Sequence, residues 1–233
     1  MNVVEAFLSP ASPSLKICGV TSPTDAQGLI DKKVPAIGIN FWPKSKRYCP
    51  PDEALEFLPA LRGQIARVGV FVNNARQLAP DLLAAKAIDL VQLHGDEDDE
   101  ELIGLLAQDV PVIRALSLQS SDHLPSVVGH YENLLASHPG TLALLLDAHA
   151  PGVYGGTGET IDWEQAGEFI RLASPLPVLL AGGIVPENAA EALRLTRPAG
   201  LDVASGAESS PGMKDFEKVS QLLVATQTAN PLP

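Results

Sequence analysis

The chain has 233 residues, 45% of them hydrophobic, and a formal net charge of -12 at pH 7. That acidic balance argues against binding to nucleic acid or to an anionic membrane surface, and no apolar run approaches the roughly 18 residues of a membrane-spanning helix. Two cysteines, Cys18 and Cys49, are too few for a disulfide framework, and the N-terminus lacks the pattern of a signal peptide. We therefore predict a soluble, cytoplasmic protein.

Short apolar segments alternate with helical patterns along the chain. Strands are predicted over residues 15–18, 36–41, 66–72, 88–93, 110–116, 142–147, 177–180 and 201–204. Helices are predicted over residues 24–31, 52–61, 75–86, 96–106, 120–135, 163–172, 186–195 and 213–225. Strands that are almost continuously apolar are typical of parallel sheets covered on both faces. Eight strand–helix units in a chain of this length indicate a single-domain α/β protein, a (β/α)8 TIM barrel with eight parallel strands. Residues 1–14 are interpreted as an N-terminal leader, 15–228 as the barrel catalytic domain and 229–233 as a tail.

Polar and reactive residues occur where the predicted strands end, which is where such barrels carry their catalytic groups. These positions hold Cys18, Arg47, Asn73, His94, Ser117, Asp147, the Gly182–Gly183 pair and the Ser205–Gly206 pair. Lys16 precedes Cys18 by two residues and so lies on the same strand face. Its charge could lower the pKa of the thiol, although a lysine whose stem merely extends from the barrel wall fits the sequence equally well. Cys49 is interpreted as incidental.

Two glycine-bearing turns follow the seventh and eighth strands. Gly182–Gly183 in AGGI and Ser205–Gly206 in SGAE leave backbone N–H groups uncovered, and in barrels of this type these two loops often hold a phosphate. The alternative is that the glycines only allow tight turns. The run GGTGE, with Gly156, lacks the ending of a nucleotide-binding P-loop, so we interpret it as a mobile loop that helps to hold the phosphate.

Several motifs also match a known family. LKICGVT, GINFWPKSKRY, VGVFVN, VQLHG, LLLDAHAPGVYGGTGETIDW, LLAGGI, LDVASGAE and PGMKD occur in order from residue 15 to about residue 224. Together they resemble the phosphoribosylanthranilate isomerases of tryptophan biosynthesis. The resemblance implies an aldose–ketose isomerase that converts N-(5-phosphoribosyl)anthranilate to 1-(2-carboxyphenylamino)-1-deoxyribulose 5-phosphate. This Amadori rearrangement needs no cofactor and no metal, and the five histidines of the chain lack metal-binding spacing.

The resemblance also implies roles for individual residues. Cys18 corresponds to the general base, Asp147 to the general acid, and Arg47 to the cation that holds the anthranilate carboxylate. A carboxyl group at the end of an apolar strand suits an acid, and a guanidinium group can pair with a carboxylate through two hydrogen bonds. Gln92 is a plausible substrate contact, whereas His94 is either structural or supporting.

Some features leave alternatives open. A related phosphate-binding barrel enzyme could act on another sugar phosphate, and a non-catalytic barrel could bind a phosphoribosyl ligand. Both a monomer and a homodimer fit the sequence. Two features depart from the family pattern: the leader is longer than usual, and the loop after the sixth strand carries the pair His149–Ala150. Asp202 is given only a supporting role.

Overall fold

Eight parallel strands form a closed barrel in chain order, with β1 hydrogen-bonded to both β2 and β8. The computed structural model describes residues 2–8, 12–119, 122–147 and 162–229. The barrel strands are β1 (Ser14–Cys18), β2 (Ala36–Asn40), β3 (Ala66–Phe71), β4 (Leu90–Leu93), β5 (Val112–Leu116), β6 (Leu142–Leu146), β7 (Val178–Leu180) and β8 (Gly200–Val203). The predicted (β/α)8 fold is thus confirmed.

Helices surround the barrel, and one further helix precedes the first strand. They are α1 (Val3–Leu8), α2 (Pro23–Asp31), α3 (Pro51–Phe57), α4 (Ala75–Ala84), α5 (Asp99–Leu106), α6 (Leu124–Ser137), α7 (Trp163–Ala173), α8 (Pro186–Thr196) and α9 (Phe216–Thr228). In the described part of the chain, none of these helices is both long enough and apolar enough to cross a bilayer.

Strand β6 shows why the barrel strands are almost continuously apolar: its side chains are buried on both faces of the barrel wall. Ala143 and Leu145 belong to the buried cluster inside the barrel, whereas Leu142, Leu144 and Leu146 belong to the larger apolar layer between strands and helices. Successive side chains of a strand point to opposite faces, so a strand with both faces covered has no position for a solvated side chain. A polar side chain within a strand must therefore be paired inside the protein, as Lys16 of β1 is with Asp202 of β8.

Helix α1 packs against the N-terminal end of the barrel. Phe7 is fully buried and Leu8 is almost so, in the same cluster as Ala36 and Ala66, which begin two of the strands. The helix therefore covers the end opposite to the one where the catalytic groups are predicted. The division of the chain into a leader (residues 1–14), a barrel domain (15–228) and a tail (229–233) stays a prediction.

A short hairpin separates β8 from the last helix. The predicted helix over 213–225 was wrong at its start, because β9 (Glu208–Ser210) pairs with an antiparallel strand β10 (Met213–Lys214) across a turn at Gly212, whose φ is +84°. The side chain of Asp215 then accepts hydrogen bonds from two backbone N–H groups and caps α9. The hairpin matters for function because it lies beside β1.

Two other predicted helices differ in extent. The segment 52–61 divides into α3 and a single 3₁₀ turn at Leu58–Leu61, which contains Pro59. Helix α6 begins at Leu124, with Pro125 in its first turn, where a missing N–H costs no hydrogen bond. Residues 120–121 of that prediction lie outside the described residues.

Candidate active site

A cavity opens at the C-terminal end of the barrel, and most of the predicted site residues line it. Among the lining residues are Cys18, Arg47, Gln92, His94, Asp147, Gly182, Gly183, Asp202 and Ser205. A thiol, a carboxyl group, a cation and residues of both glycine-bearing turns thus lie in the wall of one cavity. The predicted site residues Lys16 and Gly206 are not part of this lining, and neither are Asn73, Ser117 and Cys49.

The first strand presents Cys18 at its end and Lys16 below it. Lys16 is opposite Asp202 in the parallel register of β1 and β8, and its Nζ lies 2.9 Å from Oδ1 of Asp202. The lysine side chain is fully buried, so it does not extend to solvent. Burial by itself lowers the pKa of Lys16, but the Asp202 carboxylate and the Cys18 thiol outweigh it and raise the pKa overall. Lys16 is therefore a charged group held inside the barrel wall.

The Cys18 thiol occupies space that a glycine on the neighbouring strand leaves free. Gly38 pairs with Cys18 across β1 and β2, and a Cβ atom at Gly38 would lie 2.7 Å from Sγ and 3.0 Å from Nζ of Lys16. Burial raises the pKa of the Cys18 thiol, while the charge and hydrogen bond of Lys16 lower it by less. Lys16 thus lowers the pKa of the thiol as expected, but the increase in pKa that burial causes is larger.

Asp147 lies directly after β6 and is joined to a pair of side chains from β4. Its Oδ2 is 3.3 Å from Nε2 of His94, and Nδ1 of His94 is 2.8 Å from Nε2 of Gln92. With the amide nitrogen of Gln92 as the donor, Nδ1 of His94 accepts, and Nε2 is the ring nitrogen that faces the carboxylate. The side chain of Gln92 is buried, and its Oε1 has no hydrogen-bond partner. This arrangement orients Asp147 and leaves a buried acceptor at the cavity wall.

Arg47 enters the cavity from the loop after β2. Its aliphatic stem lies against Gly19, where any Cβ atom would overlap it, and Gly19 has a φ of +75° that suits glycine. The guanidinium group forms two-pronged hydrogen bonds with Glu208, from Nε at 2.9 and 3.0 Å and from Nη2 at 2.8 Å. The sequence argument identified Arg47 but missed this partner.

The hairpin residues Glu208 and Lys214 extend the contacts of Arg47. Nζ of Lys214 donates to Glu208 Oε1 at 2.7 Å and to the Cys18 carbonyl oxygen at 2.6 Å. One sequence signal could have predicted this contact, the Pro211–Gly212 dipeptide, which is typical of a turn. A turn at that point makes the two flanking segments a hairpin and places Glu208 opposite Lys214.

The two glycine turns lie next to each other at one side of the cavity. Gly182 and Gly183 have φ values of +82° and +65°, and the side chain of Asn188 donates to the Gly183 carbonyl at 2.9 Å. Gly206 lies in a 3₁₀ turn directly against the Ile184 carbonyl, in a place where a Cβ atom would not fit. The absence of a side chain at Gly206 therefore allows the close packing of the two loops, whereas Gly182 and Gly183 adopt a backbone conformation that favours glycine.

Gly156 and the His149–Ala150 pair lie outside the described residues. Within the described ranges, no group of three or more His, Cys, Asp or Glu side chains could hold a metal ion.

Comparisons with known proteins place the chain in a family. Residues 15–225 match the profile of N-(5'-phosphoribosyl)anthranilate isomerase. The N-(5'-phosphoribosyl)anthranilate isomerase of Myxococcus xanthus is 40% identical over 221 residues, which cover 94% of this chain and 98% of that protein.

Solved structures agree with this similarity. The crystal structure of phosphoribosylanthranilate isomerase from Thermotoga maritima has a TM-score of 0.79 and 32% identity, covering 92% of this chain and 98% of that one. A phosphoribosylanthranilate isomerase in complex with reduced 1-(o-carboxyphenylamino)-1-deoxyribulose 5-phosphate has a TM-score of 0.76 and 29% identity, with the same coverage of both chains.

Proposed function

The chain belongs to the N-(5'-phosphoribosyl)anthranilate isomerase family, and we propose that Cys18 and Asp147 are the base and the acid of its reaction. The protein is an enzyme of the isomerase class that acts on phosphoribosylanthranilate in tryptophan biosynthesis. The observation that carries the assignment of roles is the presence of both side chains in the wall of one cavity.

The reaction needs a proton donor and a proton acceptor on different atoms of the sugar. Asp147 donates a proton to the furanose ring oxygen, so that the C1–O bond breaks and a Schiff base forms. The Cys18 thiolate then removes the proton from C2, giving an enolamine that tautomerises to the ketone. The contact of His94 with Oδ2 of Asp147 orients the carboxyl group, and we assign Oδ1 to face the substrate.

Substrate groups are assigned to the remaining cavity residues. The phosphate binds to backbone N–H groups of Gly182, Gly183 and the Ser205–Gly206 turn, with Gly156 as a further contact. The unpartnered Oε1 of Gln92 accepts from a sugar hydroxyl group, since a buried acceptor without a partner costs free energy.

Arg47 binds the anthranilate carboxylate, and Lys16 and Asp202 support Cys18 from within the wall. No cofactor takes part in this scheme.

A cytoplasmic location is proposed because two unpaired cysteines suit a reducing compartment. The monomer and the homodimer both stay open as predictions.

Loss of anthranilate-type fluorescence during turnover of phosphoribosylanthranilate tests the two roles. We expect Cys18→Ala and Asp147→Asn each to lower kcat/KM by at least about a hundredfold, as for removal of a general base or acid. Cys49→Ala is the matched control and keeps its activity, because that thiol packs in the core outside the cavity lining. Near-normal turnover in both site variants would refute the assignment, and binding of the product analogue without turnover in the unmodified protein would favour a binding barrel.

A further inference from the structure

The carboxylate of Glu208 is surrounded by donors that hold it in one orientation. Besides the three contacts from Arg47, it accepts from Nζ of Lys214 at 2.7 Å and from the backbone N–H of Gly212 at 3.2 Å. The backbone carbonyl of the same residue accepts from Lys218 at 2.8 Å. Glu208 is 5% exposed, so solvent contributes little to this arrangement.

The pairing uses one edge of the Arg47 guanidinium group. The Nε and Nη2 atoms face Glu208, so the edge formed by Nη1 and the second N–H of Nη2 is directed elsewhere. A planar guanidinium group can bind one carboxylate on each edge. With the first carboxylate supplied by the protein, the guanidinium plane is held in place, and the second edge is the one left for a ligand in the cavity that Arg47 lines.

The charges of the cluster favour an anion on that second edge. Arg47 and Lys214 are two basic groups around the single carboxylate of Glu208, and the guanidinium side chain is only 14% exposed. Burial lowers the pKa of Lys214 despite Glu208, whereas the hydrogen bond to Glu208 raises the pKa of Arg47, so Arg47 is the firmer positive charge. Burial by itself raises the pKa of Glu208, but the hydrogen bonds from Arg47 and Lys214 outweigh it and lower the pKa, so the carboxylate is ionised at neutral pH. Adding a ligand carboxylate balances the charge of the cluster.

Lys214 also ties this cluster to the strand end that carries the thiol. Its Nζ donates to the Cys18 carbonyl oxygen at 2.6 Å, so one ammonium group contacts both the partner of Arg47 and the backbone of the proposed base. Glu208 and Lys214 of the β9–β10 hairpin therefore connect the Arg47 guanidinium group to the end of the strand that carries Cys18.

We propose that Glu208, held in place by Lys214, is a positioning residue that aims the free edge of Arg47 at the carboxylate of the substrate. It does not touch the substrate itself and acts through Arg47. This inference rests on the proposed function, in which Arg47 binds the anthranilate carboxylate.

The test compares two ligands that differ only in that carboxylate. The first is reduced 1-(o-carboxyphenylamino)-1-deoxyribulose 5-phosphate, and the second is the same compound with an unsubstituted phenyl ring. We expect Glu208→Gln to weaken binding of the first about tenfold, as for loss of a charge-assisted contact, and to change binding of the second less than about twofold. KM for phosphoribosylanthranilate rises accordingly while kcat changes little, since the carboxylate is remote from the reacting atoms.

Three further variants make the test specific. Glu191→Gln is the matched control, an identical change on an exposed face of α8, and leaves both affinities unchanged. In an Arg47→Ala background, Glu208→Gln has no further effect on the first ligand. If Glu208→Gln does not fold, Glu208→Asp keeps the charge but withdraws it from Arg47, and it shows the same selective loss.

Each contrary result points to a different failure. Equal weakening of both ligands by Glu208→Gln would mean that the residue only supports the fold, and would overturn the positioning role while leaving Arg47 as a carboxylate site. A selective loss that persists in the Arg47→Ala background would show that Glu208 does not act through Arg47. If Arg47→Ala itself weakens both ligands equally, the role of Arg47 in the proposed function fails and the positioning role fails with it.

Discussion

Lys16 and Asp202 lie opposite each other where the first and last strands close the barrel, and their side chains form a buried ion pair of 2.9 Å. The pair stands directly below Cys18 and couples barrel closure to the environment of the proposed base. Its two charges compensate each other in a place where an isolated charge would be very unfavourable.

Removal of one member of this pair should cost more stability than removal of both. Lys16→Met or Asp202→Leu alone is expected to lower the free energy of unfolding by about 3–5 kcal/mol, because an uncompensated charge stays buried. The double variant should lose less than either single variant, because no unpaired charge remains. Urea unfolding of the four proteins measures this coupling, and strictly additive losses would contradict it.

Formation of the Cys18 thiolate should increase with pH through neutrality. Burial raises the pKa of the Cys18 thiol above its usual value despite Lys16, so most of the free enzyme holds a neutral thiol at neutral pH. Because catalysis needs the thiolate of Cys18 and the protonated form of Asp147 together, kcat/KM depends on both groups and does not isolate the thiol. A direct measurement of thiolate formation against pH tests this prediction.

Alkylation by iodoacetamide in a Cys49→Ala background reports the same deprotonation independently. Burial raises the pKa of Cys49 to about 11, and its removal leaves Cys18 as the single thiol. The alkylation rate should rise with pH through neutrality, because only the thiolate reacts. A profile that is flat through neutrality would contradict the assignment of Cys18 as a base with a raised pKa.

Activity should depend on the absence of a side chain at Gly38, because the Cys18 thiol occupies the space that a side chain would take. Gly38→Ala places a methyl group against Sγ of Cys18 and Nζ of Lys16, at 2.7 and 3.0 Å before any shift. We expect kcat/KM to fall about tenfold or more because the thiol is displaced, with a loss of about 1–3 kcal/mol in stability from overpacking.

Gly104→Ala is the matched control for that substitution. Gly104 lies within α5, and nothing is within 4 Å of the place a Cβ atom would take. The change should raise the free energy of unfolding by about 0.5–1 kcal/mol and leave the activity unchanged. Full activity in Gly38→Ala would show that the thiol does not need the position seen here.

Helix α1 should contribute to stability without touching the reaction. Phe7→Ala removes a fully buried ring that covers the N-terminal end of the barrel, so we expect a loss of about 3 kcal/mol with kcat and KM unchanged below the new unfolding transition. Val224→Ala, on the exposed side of α9, changes stability by less than about 0.5 kcal/mol. A loss of activity in folded Phe7→Ala would reveal coupling across the barrel.

The sequence by itself determined the elements and the end of the barrel that carries the site. Continuous apolar runs identify strands buried on both faces, and the residues that follow those strands must share one end of a parallel barrel. Cys18, Asp147 and the glycine turns were located at strand ends in this way, because their positions depend only on local pattern and on strand direction. The roles of Cys18 and Asp147 came from the resemblance to the family. The start of α9 was missed because the turn at Gly212 and the cap at Asp215 override an otherwise helical pattern.

Only the tertiary structure decided which charges meet. Lys16 and Asp202 are 186 residues apart, and Arg47 and Glu208 are 161 apart. Their pairing depends on how β1 and β8 register when the barrel closes and on where the β9–β10 hairpin packs. That register results from the packing of all eight strands and the helices around them, so no local segment specifies it. The thiol could be located from the sequence, whereas the charges that surround it follow from closure of the barrel.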